Sequence, residues 1–177
     1  MSHLLAFAGS NSSRSINFQL VKYTVSSIVD KEVRLLDMAD MTLPVFSEDL
    51  ERDEGYPPIL SKLLESIRQA DGLILSVNEH NSNPSAFFKN VLDWLSRMDR
   101  NFLSGTRVLL MSTSRGRRGG SASLEVIKAL LPRFGGEVVA SFSLPSFNHN
   151  FIEVDGITDR ELANAHKIAL ELFLSKI

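Results

Sequence analysis

The chain has 177 residues, of which 44% are hydrophobic and 23% are charged, a composition typical of a globular protein. Its net charge of -2 offers no basic excess for a nucleic acid backbone, and no apolar run approaches the roughly 20 residues that span a bilayer. The absence of cysteine excludes disulfides, thiolate metal sites and cysteine nucleophiles, and it favours a cytoplasmic location. The four histidines include no pair at a metal-ligand spacing.

Five short apolar runs alternate with amphipathic stretches, a pattern that predicts a β-α unit repeated five times. Most of these runs are almost continuously apolar, as in parallel strands that are covered by helices on both faces. Because crossovers are right-handed, the simplest fold is a flavodoxin-like three-layer sandwich with a five-stranded parallel sheet in the order 2-1-3-4-5. Residues 1–177 are expected to form one domain. The predicted strands cover residues 4–8, 33–36, 73–77, 108–111 and 138–142.

Helices are predicted in the stretches between these strands. Residues 60–67, 85–98 and 124–131 repeat apolar side chains at helical spacing. The last helix is expected to begin with a capping box, in which Thr158 pairs with Glu161. Residues 39–56 show no such periodicity and are predicted to form one long loop.

Three polar loops follow the first, third and fourth predicted strands, where such a sheet binds its ligands. The first, residues 9–17, places four serines, two asparagines and an arginine before a helix. Hydroxyl donors and a helix N-terminus suit a phosphate dianion, although a serine-rich cap without a ligand is the alternative. The loop is neither a Walker A motif nor Gly-x-Gly-x-x-Gly, so nothing indicates ATP or Mg²⁺.

The other two loops differ in composition from the first. Residues 78–84 are seven polar or turn residues after an apolar strand, well suited to presenting backbone amides to a flat heterocycle. Residues 112–120 include three glycines, which allow a close approach of the backbone, and three arginines, which add positive charge or are only solvated.

Together the three loops resemble the NADPH-dependent FMN reductase family, which includes chromate-, quinone- and azo-reducing members. Its motifs are Gly-Ser-x-Arg-x-x-Ser-x-Asn, then Pro-Glu-Tyr-Asn-Gly-Ser-x-Pro running into Leu-Lys-Asn-x-x-Asp-Trp, then Ser-x-Gly-x-x-Gly-Gly. Residues 43–51 are similar to a further segment of the family. The matching loop residues are Gly9, Ser10, Ser15, Asn17, Glu79, Asn81, Lys89, Asn90, Asp93, Trp94, Ser114, Gly116, Gly119 and Gly120.

The chain departs from these motifs at several positions. Ser12 replaces the phosphate-binding arginine, His80 the tyrosine beside the flavin, and Ser82 a glycine, while Asn78 and Ser85 replace the two prolines. The imidazole of His80 either titrates near neutral pH, which would make flavin reduction pH-dependent, or only packs and hydrogen-bonds in its neutral form.

The resemblance implies an FMN site with three parts. The phosphate would be held by one group of side chains, with Arg14 able to take the place of the missing arginine. The ring edge would be lined by backbone N–H groups of the second loop, and the third loop would close the other side. In that order, the three sets are Ser10, Ser12, Ser15 and Asn17; Glu79, His80, Asn81 and Ser82; and Ser114, Gly116 and Gly120.

The same resemblance implies an enzyme in which the flavin carries the chemistry and no protein group acts as acid or base. NADPH or NADH would pass a hydride to FMN, and a small acceptor (a flavin, a quinone, an azo compound or a metal oxyanion) would then take the electrons. Arg115, Arg117 or Arg118 would meet the extra phosphate of NADPH. A homodimer or homotetramer is expected, with no metal, nucleic acid or membrane partner. The alternatives are a flavodoxin-type electron carrier and a flavin-binding protein without turnover.

Overall fold

A five-stranded parallel sheet lies at the centre of the protein, whose computed structural model describes residues 3–177. The first, second, third, sixth and seventh strands of the chain form this sheet, and the four shortest strands form two separate hairpins. The strands are β1 (His3–Ala8), β2 (Glu32–Leu36), β3 (Gly72–Val77), β4 (Glu79–His80), β5 (Asn83–Pro84), β6 (Arg107–Thr113), β7 (Glu137–Leu144), β8 (Phe151–Ile152) and β9 (Gly156–Ile157).

The order of the central sheet is β2-β1-β3-β6-β7, and every pair in it is parallel. This order confirms the predicted 2-1-3-4-5 arrangement and the flavodoxin-like fold. In such a sheet the order of the strands reverses between β1 and β3, so a crevice opens at their carboxyl ends. The loops after β1, β3 and β6 meet at that edge.

Helices cover both faces of the sheet. In residues 3–177 no helix has the length and apolar character that crossing a bilayer requires. A 3-10 turn, Leu131–Phe134, follows the fifth helix. The helices are α1 (Ile16–Ser26), α2 (Glu48–Glu54), α3 (Pro58–Arg68), α4 (Ala86–Met98), α5 (Ser121–Leu130), α6 (Phe147–Asn150) and α7 (Arg160–Leu174).

Two apolar clusters lie on opposite faces of the sheet. One combines α3, α4 and α5 with Leu5 and Phe7, and the other combines α1 and α7 with Leu4 and Ala6. This division follows from the alternation of side chains along a strand, since successive residues of β1 point to opposite faces. The edge strand β2 is less buried than the central strands, with Arg34 and other side chains exposed.

The predicted loop over residues 39–56 is wrong, because α2 lies within it. The Ser47 hydroxyl caps this helix by accepting the Leu50 N–H at 3.1 Å, and acidic residues in the first turn suit the helix dipole. None of its residues is buried, so the helix has no apolar periodicity to predict it. The carbonyl of Pro44 binds the segment to α4, where it accepts hydrogen bonds from the side chains of Trp94 and Asn90, both at 2.9 Å.

The predicted capping box at the last helix is also wrong. Asp159, and not Thr158, is the N-cap of α7, and its carboxylate accepts the Leu162 N–H at 2.9 Å. A capping box and a simple aspartate cap one residue later are compatible with the same sequence, and aspartate is the stronger cap of the two. The helix therefore begins one residue later than the box requires.

Candidate functional site

The loops after β1, β3 and β6 enclose a cavity of about 260 Å³ at the carboxyl edge of the sheet. It brings together seven of the eleven residues expected to hold FMN, together with Arg14 and Arg115, and leaves Asn81, Ser82, Gly116 and Gly120 outside its lining. The lining consists of Ser10, Ser12, Arg14, Ser15, Ile16, Asn17, Asn78, Glu79, His80, Thr113, Ser114 and Arg115.

Hydrogen bonds within the first loop orient its serine hydroxyls. The oxygen of Ser10 accepts the Ser12 N–H at 3.3 Å, and that of Ser12 accepts the Arg14 N–H at 3.2 Å. Ser15 caps α1 by accepting the Phe18 N–H at 3.1 Å. Because each oxygen is held as an acceptor, its O–H remains available to donate to a ligand.

The first helical turn adds main-chain donors to these hydroxyls. The N–H groups of Ile16 and Asn17, the first two of α1, have no hydrogen-bond partner among residues 3–177. They lie at the positive end of the helix dipole, which favours an anion there. The first loop therefore combines three hydroxyl donors with two backbone donors.

The side chain of Asn17 is directed into the sheet. It is 2% exposed, its Oδ1 accepts the Ser76 hydroxyl at 2.8 Å and the Thr113 N–H at 3.0 Å, and its Nδ2 donates to the Thr113 carbonyl at 3.1 Å. These bonds join α1 to β3 and β6. The geometry therefore assigns the Asn17 side chain to positioning the helix, while its unpartnered backbone N–H belongs to the helix end that lines the cavity.

Glu79 has a structural contact that the sequence did not indicate. Its Oε2 accepts the Ala122 N–H at 3.0 Å and the Ser123 N–H at 3.1 Å, at the start of α5. The N-cap position of this helix is Gly120, which has no side chain with which to cap it. A carboxylate from a distant turn thus satisfies two of the orphan donors and neutralises the dipole of α5.

The turn after Glu79 is a tight hairpin between β4 and β5. Asn81 and Ser82 have φ angles of 53° and 62°, a pair of left-handed residues that is typical of a type I′ turn. His80, Asn81 and Ser82 are exposed, and His80 lines the cavity, so the turn that it begins lies at the rim. The glycine of the family motif thus falls at a position where a left-handed conformation is required.

Ser85, which replaces a proline of the motif, connects this hairpin to the first loop. It is the N-cap of α4, accepts the Phe88 N–H at 3.2 Å and donates its hydroxyl to the Gly9 carbonyl at 3.1 Å. Gly9 allows this close approach, since a Cβ there would lie 2.6 Å from Cγ of Phe88. The glycine is therefore explained by packing between β1 and α4.

The third loop divides into an open part and a packed part. The Ser114 hydroxyl, on the cavity wall, donates to the Gly116 carbonyl at 3.3 Å, and a Cβ on Gly116 would meet nothing closer than 3.8 Å. Gly120 is buried and left-handed, with φ of 78°, and a Cβ there would lie 3.2 Å from Cβ of Ser112. Gly120 thus serves the start of α5 and is not itself part of the lining of the cavity.

Positive charge predominates at the cavity. Arg14 and Arg115 are exposed on its lining, and neither forms an ion pair within residues 3–177. Glu79, the acidic residue of the lining, is engaged with α5. The part of the chain that the structure describes contains no cluster of three His, Asp or Glu that could hold a metal.

Three lining residues, Ile16, Asn78 and Thr113, were not among the expected site residues. Asn78 and Thr113 lie at or just beyond the ends of β3 and β6, the neighbouring strands whose loops were singled out. Because ligands bind at the carboxyl ends of parallel strands, the position of these two residues at the ends of predicted strands is the feature from which they could have been predicted.

Residues 2–149 match the model of the NADPH-dependent FMN reductase family. The chain belongs to this family. The match covers all three loops and the segment between β2 and α3, which agrees with the resemblance drawn from the motifs. It ends within α6, so α7 lies outside it.

Individual relatives are similar in sequence to parts of this chain. A quinone reductase of Escherichia coli K12 is 38% identical over 79 residues, which cover 45% of this chain and 42% of that protein. A probable NADPH:quinone oxidoreductase 2 of Oryza sativa is 32% identical over 126 residues, 70% of this chain and 61% of that protein. The matched segment of the chain thus spans less than two thirds of the length of either relative.

Solved structures share the fold over nearly the whole chain. The apo form of an NADH:FMN oxidoreductase superimposes with a TM-score of 0.78 at 22% identity, covering 99% of this chain and 90% of that one. The flavoenzyme NAD(P)H:acceptor oxidoreductase FerB of Paracoccus denitrificans gives 0.73 at 21% identity, covering 99% of both chains.

Proposed function

We propose that this protein is an NAD(P)H-dependent flavin oxidoreductase that binds FMN in the cavity between the three loops. FMN would accept a hydride from NADPH or NADH and deliver the electrons to a small acceptor such as a flavin, a quinone, an azo compound or a metal oxyanion. Membership of the FMN reductase family supports this activity. The observation that carries it is the convergence of the first, second and third loops on one cavity.

The first loop fits the phosphate of FMN. The hydroxyls of Ser10, Ser12 and Ser15 and the backbone N–H groups at the start of α1 are all donors, as a phosphate dianion requires. Arg14 lies on the same wall and supplies the positive charge that Ser12 lacks at the position of the family's arginine. The fit thus rests on donor chemistry that the structure itself contains.

The ring would lie toward the second and third loops. Glu79 holds the β4–β5 hairpin against α5, which fixes the main chain that carries His80, Asn81 and Ser82 at the rim. The open space at Gly116 leaves room on the opposite side, beside Ser114. We propose that these backbone groups contact the ring edge, with Gly120 supporting the loop from behind.

The size of the cavity bears on how the ring is covered. At about 260 Å³ it is slightly smaller than the roughly 300–1,000 Å³ of sites that enclose a small molecule. One face of a bound ring would therefore remain open to a nicotinamide and then to the acceptor. Arg115 lines the cavity, and the exposed Arg117 and Arg118 follow it in the same loop, so these three are our candidates for the extra phosphate of NADPH. We further propose a cytoplasmic homodimer or homotetramer of this one-domain chain, in which a partner covers part of the ring.

Flavin binding and turnover are tested on the purified protein. The expected preparation is yellow or takes up FMN stoichiometrically, and its colour bleaches when NADPH or NADH is added without oxygen. Arg14→Gln should weaken FMN binding, whereas Arg133→Gln, a change of the same kind on the remote 3-10 turn, should leave it unchanged. A protein that takes up no FMN would overturn the proposal. FMN uptake without any bleaching would instead support the electron carrier or the flavin-binding protein without turnover.

A further inference from the structure

The α6 turn, residues 145–150, follows β7 and is closed by Asn150. The side-chain Nδ2 of this residue donates to the carbonyl of Pro145 at 2.9 Å, and its backbone N–H donates to the carbonyl of Ser146 at 3.1 Å. Ser146 has a φ of 47°, a left-handed conformation that costs free energy in a residue other than glycine. Because such a conformation persists only where its surroundings hold it, the two bonds from Asn150 maintain the shape of the turn.

The α6 turn binds the main chain of the third loop. The N–H of Ser146 donates to the carbonyl of Gly116 at 2.9 Å, and the N–H of Phe147 donates to the carbonyl of Ser114 at 2.9 Å. Ser114 is on the wall of the cavity, whereas no residue of the α6 turn is among the lining residues. The turn therefore holds part of the cavity wall without lining the cavity itself.

These two bonds set the direction of the neighbouring N–H groups. In a trans peptide the N–H points opposite to the carbonyl, and residues 3–177 contain no cis peptide. The N–H groups of Arg115 and Arg117 are thus directed away from the α6 turn, and neither has a hydrogen-bond partner in the described part of the chain. Since Arg115 belongs to the lining of the cavity, the loop brings an unpartnered main-chain donor to this wall.

The α6 turn is anchored to the apolar cluster that contains α1 and α7. Phe147 is buried, and its ring stacks on that of Phe151 with centroids 4.6 Å apart, while Phe151 meets the ring of Tyr23 edge-on at 5.8 Å. The carbonyl of Asn150 accepts the N–H of Thr158 at 3.0 Å, shortly before α7. The third loop is therefore attached, through this turn, to a packed region on one face of the sheet.

We propose that Asn150 is a positioning residue for the flavin ring. By closing the α6 turn, it keeps the carbonyls of Ser114 and Gly116 directed toward α6 and leaves the N–H of Arg115 available to the polar edge of the ring. This inference rests on the proposed function and extends it to a residue outside the three loops. Asn150 also lies one residue beyond the segment that matches the family model.

The first test uses flavin-free protein and compares wild type with Asn150→Leu, which has a similar volume and no donor. Hydrogen exchange of the backbone amides of Ser146 and Phe147, measured by NMR, should accelerate about fivefold to tenfold, because the turn opens more often. Asn150→Asp, which has the same shape and also lacks the donor, should behave in the same way. Asn148→Leu is the matched control, since Asn148 is exposed in the same turn and makes none of the bonds that close it.

The second test measures which end of the flavin loses contact. Lumiflavin has the ring of FMN without the ribityl chain or the phosphate. In Asn150→Leu the affinities for FMN and for lumiflavin should fall by the same factor, about threefold to tenfold, because the phosphate end is untouched. Arg14→Gln should weaken the binding of FMN alone.

A third measurement reports on the ring directly. The midpoint potential of bound FMN should become more negative in Asn150→Leu, since N–H donors at the ring edge stabilise the negative charge that the ring gains on reduction. A loss of stability elsewhere in the protein would leave this potential unchanged.

Exchange at Ser146 and Phe147 that stays at the wild-type rate would overturn the closing role of Asn150. Faster exchange with unchanged lumiflavin affinity and midpoint potential would overturn the positioning role. A larger loss of affinity for FMN than for lumiflavin would assign Asn150 to the folding of the whole site and also overturn it. Wild-type protein that takes up neither FMN nor lumiflavin would instead reject the proposed function.

Discussion

The carboxylate of Glu79 lies at the amino end of α5, where its Oε2 accepts the backbone N–H of Ser123 at 3.1 Å. The two residues are far apart in sequence, yet this bond joins the turn at the rim of the cavity to a helix on the face of the sheet. A displacement of the turn would therefore also displace the start of α5.

We expect Glu79→Ala to lower the free energy of unfolding by about 1–3 kcal/mol, because two charge-assisted bonds to orphan helix donors are lost. Glu79→Gln keeps a neutral acceptor and should lower the free energy of unfolding by roughly half as much. Urea unfolding measures both. Glu125→Ala, on the exposed side of the same helix, should change stability by less than about 0.5 kcal/mol. Equal stabilities of Glu79→Ala and Glu125→Ala would contradict the capping role.

Ser82 should respond to substitution according to its φ of 62°. A β-branched residue is strained in this conformation, so Ser82→Val should destabilise the protein by about 1–2 kcal/mol. Ser82→Gly relieves the strain and should be neutral or slightly stabilising. The melting temperatures of wild type and the two variants give their order of stability. A valine variant as stable as the glycine variant would be inconsistent with the type I′ turn.

Gly9→Ala should destabilise the fold by about 1–3 kcal/mol, because the new methyl group would overlap the ring of Phe88. The double variant with Phe88→Leu should recover part of this loss, since the smaller side chain can move away. Gly116→Ala is the matched control for folding, because its Cβ would lie in open space. Additive losses in the double variant would mean that the two residues do not compete for the same volume.

The buried His166 makes stability depend on pH. Burial lowers its pKa from 6.5 to about 4, and its Nε2 is hydrogen-bonded to Oγ1 of Thr24 at 2.8 Å. Because the Thr24 hydroxyl also donates to the carbonyl of Leu20, the tautomer with the proton on Nε2 satisfies both groups. The unfolded chain therefore binds a proton that the folded protein excludes. Stability is complete above about pH 7 and falls as the pH drops from 6.5 toward 4, by about 2 kcal/mol at pH 5.

His166→Gln removes this titration while keeping an amide donor for Thr24. The difference in unfolding free energy between pH 7.5 and about pH 5 should shrink by about 2 kcal/mol in this variant. Carboxylates that titrate in the same range contribute equally to both proteins and cancel in the comparison. Identical pH profiles for the two proteins would show that His166 is free to ionise in the folded state.

The order of the sheet and the three loops could be predicted because they depend on local patterns. Apolar runs, glycines and a polar segment after each strand are visible along the chain. The contacts of Glu79 and Asn17 could not be predicted, since each joins residues that only the folded sheet brings together. A glutamate in a turn does not indicate which helix it caps.

The missed helix α2 has a different explanation. It is a short, exposed element without an apolar face, and its position depends on bonds from Trp94 and Asn90 to a carbonyl outside the helix. Arg97 and Tyr56 add to the attachment by binding Glu51, and the bond from Arg97 lowers the pKa of that carboxyl. Three of the contacting side chains belong to α4, so the contacts that position α2 come from residues 40 or more positions further along the chain.

The buried amide of Asn17 has a consequence for how a ligand enters and leaves. Separation of β3 from β6 beneath the cavity would break its bonds to Ser76 and Thr113 in an environment where water cannot replace them. The floor of the cavity is therefore the rigid part, and we expect a bound molecule to exchange by displacement of the two exposed turns, residues 80–83 and 115–118, which begin at the lining residues His80 and Arg115. Substitutions in those two turns should accordingly change the dissociation rate of bound FMN more than substitutions in the strands do.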